Sequence, residues 1–140
     1  MPISSEHAGR RYPASAPYEV SRAKIAEFAA ALGDDNPAYS GDQPVAPPTF
    51  AAIIAAQAWE ALFGDAELGL ALHRTMHGDQ QFDFHRPLVP GDQVVAQLGI
   101  ERVRNRGNLD MVTIVVELTV EGEPVCSARS TLIHTREEAA

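Results

Sequence analysis

Thr49-Phe50-Ala51-Ala52-Ile53-Ile54-Ala55-Ala56-Gln57-Ala58-Trp59-Glu60-Ala61-Leu62-Phe63 is the stretch whose reading decides the fold. Six alanines give it high helix propensity, and Thr49 is placed to cap its first turn. Phe50, Ile53, Ile54, Gln57, Ala58, Ala61 and Leu62 define a broad face, and Gly64-Asp65 stops the helix. A helix so rich in alanine is a thin apolar cylinder. Such a cylinder suits the inside of a strongly curved sheet.

The sheet is expected downstream, where the apolar period changes from 3.6 to 2. From Leu72 to Arg86, His73, Thr75, His77, Asp79, Gln81, Asp83 and His85 alternate with Arg74, Met76, Gly78, Gln80, Phe82 and Phe84. Pro90-Gly91-Asp92 turns the chain into a strand over Gln93 to Val103, with Val94, Ala96, Leu98 and Ile100 on one face. Asn105-Arg106-Gly107-Asn108 reads as a hairpin connection. Val112, Ile114, Val116, Leu118 and Val120 alternate cleanly, and after Glu121-Gly122-Glu123-Pro124 a last strand runs from Val125 to His134. Upstream, Ser21 caps a first helix whose Ile25, Phe28, Ala29 and Leu32 form an apolar stripe, and Gly33 ends it. Residues 1–17 read as a loose or extended lead-in, with Tyr12 and Tyr18 as anchors, and Thr135–Ala140 as a frayed tail. Helices followed by four long strands indicate one α+β domain over residues 1–140, an antiparallel sheet packed on helix.

Composition narrows the function. The 140 residues carry a net charge of −8, which disfavours nucleic acid or an anionic membrane as partner. The single Cys126 rules out an intrachain disulfide, and on Ala128 and Leu132's strand it reads as a buried thiol. The N-terminus shows no apolar signal segment, and no apolar run reaches the ~20 residues that span a bilayer. The expected compartment is the cytoplasm. No phosphate-binding glycine loop is present, Ser130 and His134 have no triad context, and no cofactor is implied. His73, His77, Asp79 and His85 share a strand face if no bulge intervenes, but ligands ~6.7 Å apart along one strand are ill placed for one ion. No metal is expected. Arg102, Arg104 and Arg106 cluster near the hairpin, suited to phosphate groups or simply to protecting a sheet edge.

The loop between the helices carries the chemistry. Gly33-Asp34-Asp35-Asn36-Pro37-Ala38-Tyr39 is followed by Pro47-Pro48-Thr49-Phe50 at the helix start. Asp and Asn after a helix are ordinary turn residues, and Pro47-Pro48 is an ordinary helix entry. A loop of this length is nonetheless more often functional than idle.

The loop resembles the G-D-x-N-P-x-H motif of MaoC-like (R)-specific enoyl hydratases and dehydratases. Ala46-Pro47-Pro48-Thr49-Phe50, His77-Gly78-Asp79-Gln80 and Arg86-Pro87-Leu88-Val89-Pro90-Gly91-Asp92 resemble a narrower group. These are the single-hot-dog, MaoC N-terminal-type dehydratases of actinobacteria, which include the A subunit of mycobacterial (3R)-hydroxyacyl-ACP dehydratase. The likeness runs from about Tyr12 to Leu132. It implies a hot-dog fold, with the sheet wrapped around the helix at Thr49–Phe63. It also implies a 3-hydroxyacyl or 2-enoyl thioester, on CoA or an acyl carrier protein (ACP), as ligand. Elimination of water needs a base for the C2 proton and an acid for the departing hydroxyl. By position, Asp34 matches the family's catalytic Asp and Asn36 its loop-stabilising Asn. Pro48, Thr49, Phe50 and Ala51 form the helix start that faces the thioester carbonyl.

One position departs. Tyr39 stands where the family has His, and a phenol, with an ordinary pKa of ~10, is a poor base. The resemblance therefore implies a subunit that binds the acyl chain and relies on the Asp–His pair of a catalytic partner in a heterodimer. Alternatives are a self-sufficient homodimer using Asp34 with His77 as substitute base, an acyl-thioester-binding module without chemistry, and a thioesterase. The sequence does not decide between CoA and ACP.

Overall fold

The computed structural model describes residues 2–137 of the chain. After a 3-10 turn at Ser5–His7, the elements are β1 (Tyr18–Glu19), α1 (Arg22–Leu32), α2 (Ala51–Phe63), β2 (Thr75–Phe84), β3 (Gln93–Arg106), β4 (Leu109–Val120) and β5 (Glu123–Thr135). The strands form one antiparallel sheet in the order β1-β3-β4-β5-β2. This sheet curls around α2, the α+β hot-dog arrangement. Five strands take part instead of four, because the short β1 pairs Tyr18 with Val94 at the free edge of β3.

The alternation in the long strands becomes the core. Val94, Ala96, Leu98 and Ile100 of β3 and Val112, Ile114, Val116 and Leu118 of β4 are buried. So are Val125, Cys126, Ala128 and Leu132 of β5. Against them α2 turns Ala51, Ile54, Ala55, Ala58 and Leu62. Three of these five are alanines, so backbone and sheet approach closely. Gln57, expected on this face, is exposed. In α1, Ser21 accepts from the Lys24 N–H and Gly33 closes the helix at φ 68°. Ile25 and Ala29 face the core, whereas Leu32 is 50% exposed.

The strand period is broken in β2. His77 faces Leu132 and Asp79 faces Thr131, so Gly78 is an extra residue in a β-bulge. A side chain there would meet Ile133, since a Cβ on Gly78 would lie 3.2 Å from its Cδ1. The bulge moves His77 to the helix side together with Gln80 and Phe82, and sends Asp79 outward. The shared face of His73, His77, Asp79 and His85 therefore does not exist. No metal-ligating cluster occurs among the described residues.

The lead-in is extended but not loose. Gly9 N donates to Ile100 O, Tyr12 N to Leu98 O and Ser15 N to Ala96 O, which covers the edge of β3. Ile3 is 1% exposed. Both the Tyr12 hydroxyl (2.7 Å) and Arg10 (2.8 Å) donate to Asp65 Oδ2, just past α2. These bonds, the Tyr12 hydroxyl first, hold the Asp65 carboxyl below its usual range despite burial. At the other end of the sheet, buried Asp110 accepts from His134 Nδ1 (3.1 Å), Asn105 (2.6 Å) and Arg136 (2.9 Å). Thr135 ends β5 and Arg136 is bonded to Asn108 O, so these two residues are not frayed. Residues 138–140 lie outside the described region.

Asp65 supplies a test of the anchored lead-in. A carboxyl with a depressed folded-state pKa contributes stability above its unfolded pKa, and the contribution fades as pH falls through the folded value. Tyr12→Phe is expected to lower stability at pH 7 by about 1.5–3 kcal/mol, the worth of a hydrogen bond to a charged group. In urea melts across pH 7 to 2, the gap from the unsubstituted chain closes as Asp65 protonates.

Candidate functional site

The loop after α1 is built by short side-chain-to-backbone bonds. Asp34 Oδ1 accepts from Asn36 N (3.0 Å), and Asn36 Oδ1 accepts from Ala38 N (3.0 Å). Asn36 thereby caps a single 3-10 turn, Pro37–Tyr39. Val45 N then returns to Ala38 O, and Ala46 N crosses to Leu88 O in the β2–β3 connection. Arg22 of α1 donates to the Gly41 and Asp42 carbonyls. The loop is thus pinned at both ends.

Between this loop and the β2–β3 connection lies a cavity of about 490 Å³. Asn36 and Tyr39 border it on one side, Pro48 at the helix entry, and Phe84, His85 and Pro87 on the other. Tyr39 is half-buried and packs against the core. Most of the remaining lining is apolar, as an acyl group would require.

The β2–β3 wall is set by a clip. Arg86 donates to both Asp92 oxygens, at 2.8 and 3.1 Å, and Asp92 also accepts from Val89 N at 2.9 Å. Asp92 is 8% exposed, and its bonds raise the Arg86 pKa. The guanidinium thus braces the turn while the Arg86 side chain, 41% exposed, also borders the cavity.

The other sequence candidates are dispersed. Asp34 is exposed and lies outside the cavity lining. Thr49 is exposed and caps nothing, because Pro48–Phe50 forms a 3-10 turn without a side-chain cap. Phe50 N already donates to Pro47 O and Ala51 N to Pro48 O, while both residues are fully buried. Of these positions only the Thr49 N–H has no backbone acceptor among the described residues. His77 stands seven residues from Phe84 along β2, on the order of 20 Å away. There it bonds Gln80 Oε1 (3.0 Å) and meets Trp59 edge-on, with ring centroids 5.1 Å apart. The same Gln80 oxygen accepts from Ser130. Within one chain, His77 and Tyr39 are not brought together.

His134 accepts from Ala71 N at Nε2, which puts its proton on Nδ1, toward Asp110. Neither Ser130 nor His134 is poised as a nucleophile or its base. Burial pushes the Cys126 thiol up to about 11, so it is unreactive. The residue that sequence reasoning missed at the cavity is His85, whose placement needed the end of β2 to be known.

Comparison with known proteins agrees with this fold. The model of the FAS1-like dehydratase domain region matches residues 6–128. A UPF0336 protein of Cutibacterium acnes is 54% identical over 139 residues, covering 99% of this chain and 98% of its own length. A chain of the C-terminally truncated HadBC complex, a (3R)-hydroxyacyl-ACP dehydratase from Mycobacterium tuberculosis, superposes with a TM-score of 0.79. It is 31% identical, and the match covers 94% of this chain and 99% of that one. A MaoC-like dehydratase from Rhodospirillum rubrum shares the fold, with a TM-score of 0.72, 20% identity and 94% coverage of each chain.

The clip is open to a direct test. Arg86→Leu leaves a buried carboxylate with one backbone donor, and is expected to cost about 2–4 kcal/mol by urea unfolding. The joint Arg86→Leu/Asp92→Leu variant should recover part of that loss.

Proposed function

The chain belongs to the FAS1-like dehydratase-region family of MaoC-like hot-dog proteins, and from that membership we propose that it is the acyl-binding subunit of a (3R)-hydroxyacyl-thioester dehydratase. In this reading the chain supplies one wall of the acyl site and the framework of the reaction chamber. A catalytic partner with the same fold supplies the Asp–His pair that removes the C2 proton and protonates the departing 3-hydroxyl.

The observation that carries the reading is Tyr39. It borders the cavity at the loop position that resembles the family's His. A phenol donates a hydrogen bond to a hydroxyl or thioester oxygen, but at neutral pH it does not accept the proton from C2. Asn36 keeps the loop in shape from within the lining, and the Thr49 N–H is left for the carbonyl. Asp34 lies outside the lining, and its carboxylate bonds Asn36 N rather than an imidazole.

A partner is consistent with the edge of the sheet. β2 is a long edge strand with Met76 66% and Phe84 37% exposed, the kind of edge that proteins cover. Phe84 also borders the cavity, so a second subunit laid along β2 would close the site. The ligand is a 3-hydroxyacyl or 2-enoyl thioester of CoA or ACP, and no cofactor takes part. No helix among the described residues is long and apolar enough to cross a membrane, and a cytoplasmic location fits the proposed chemistry.

A second reading is favoured by His85. Because it borders the cavity, it offers an imidazole that a self-sufficient homodimer would use in place of His77.

Hydration of a trans-2-enoyl-CoA by the purified chain separates the two. On the subunit reading the unsubstituted chain is silent, and Tyr39→His confers turnover. A placed general base is worth about 10²- to 10⁴-fold. Turnover by the unsubstituted chain that His85→Gln removes would establish the second reading. A chain that neither turns over nor binds any enoyl or hydroxyacyl thioester would defeat both.

A further inference from the structure

The sheet has an outer face as well as the face that grips α2, and its charges are unevenly used. Eight of the eleven Lys and Arg have a partner: Arg10 pairs with Asp65 and Glu67, Lys24 with Glu27, Arg86 with Asp92, Arg129 with Glu101 and Arg136 with Asp110. Arg11 donates to Gln97, and Arg22 and Arg74 donate to carbonyls. Arg102, Arg104 and Arg106 alone have no ion pair or hydrogen-bond acceptor for the guanidinium among the described residues. They do so in a chain of net charge −8.

These three are not scattered. They alternate along β3 on the side away from buried Val103, so all three point outward, spanning about 13 Å. The register continues them across the sheet. Arg104 faces Met111, Met111 faces Ile133, and Ile133 faces Met76. Arg106 faces Leu109. Met76 and Leu109 are exposed, at 66% and 37%. The acidic position in these rows is Asp79, reached from Arg102 through Thr113 and Thr131, and Glu101, the bulged residue beside Arg102, is neutralised on the same face by Arg129. The result is a field about 14 Å wide on the outer side of the curled sheet, basic along one border and apolar across its middle.

We propose that this outer face of the sheet, Arg102, Arg104 and Arg106 with Met111, Ile133 and Met76, is the docking surface for an acidic acyl carrier protein. The choice of partner rests on the function proposed above. Charge complementarity selects an acidic partner, since three desolvable cations on an acidic chain repel a second copy less than they attract an acidic face. Shape selects a protein over CoA. A nucleotide phosphate is held by donors that converge on a concavity, whereas these arginines stand apart on an open sheet face and border none of the cavities described. Edge protection accounts for charge on β3 but not for the exposed methionine and leucine in the same rows. The face thus answers the question of carrier left open by the sequence, in favour of ACP.

The test uses the full chain and a fluorescently labelled holo-carrier protein with no acyl group, read by anisotropy. Arg102→Glu/Arg104→Glu/Arg106→Glu is expected to weaken carrier binding at least 10-fold. Raising salt should weaken the unsubstituted chain steeply and the variant little. Affinity for a 3-hydroxyacyl-CoA should be the same in both. All three arginines are exposed, so the melting temperature serves as the folding control. Carrier binding untouched by the reversal would overturn the proposal. So would an equal loss for the CoA thioester, which would make the arginines a phosphate site, or a change of oligomeric state on sedimentation, which would make the face an interface between copies. A chain that binds the unloaded carrier through these arginines yet ignores every acyl thioester would defeat the proposed function and leave this inference standing.

Discussion

A sheet can close around a helix only where the helix is thin enough to be approached, and that constraint governs this molecule. α2 meets the sheet through Ala51, Ala55 and Ala58, so its backbone sits near the strands and the strands must bend to follow it. Twist alone bends a sheet modestly, and bulges bend it further. The register shifts at Ile100/Arg102 in β3, at Leu118/Thr119 between β4 and β5, and at His77/Asp79 in β2 lie in three successive strand pairs. A larger side chain at Ala55 would separate helix and sheet, and the cavity beside the helix entry would lose its shape with them.

What the sequence disclosed follows from which interactions are local. Ser21 and Gly33 bracket α1 through bonds to residues within four positions, and such bonds are legible from spacing. Alternation in β3, β4 and β5 is legible because one face of each is wholly buried. The bulge in β2 is not legible because it depends on how the strand pairs with β5, which no spacing within β2 records. The bonds that fix the extended lead-in are not legible, since their acceptors, Asp65 and the edge of β3, are more than fifty residues away. Thr49 satisfied every local rule for a cap, yet Pro47 and Pro48 tighten the entry into a 3-10 turn that leaves its hydroxyl without a role.

The candidate site was legible in part for the same reason. Asn36 and Tyr39 belong to one short motif and reach the cavity together. Phe84, His85 and Pro87 come from a segment some forty-five residues later, brought opposite by the bond from Ala46 to Leu88 and held by the Arg86–Asp92 clip. The family resemblance named the residues of the clip without saying what they do. Geometry assigns them to the turn, at the border of the cavity that Arg86 also lines.

Cys126 gives the fold an observable of its own. It is the chain's sole sulfhydryl, enclosed at 0% exposure on the strand between β2 and β4, with deprotonation opposed by burial. An electrophile cannot reach it while both neighbouring strands are in place. The rate at which an alkylating reagent marks this atom is consequently a clock for separation of the sheet, and a subunit seated along β2 would slow it without touching the sulfur.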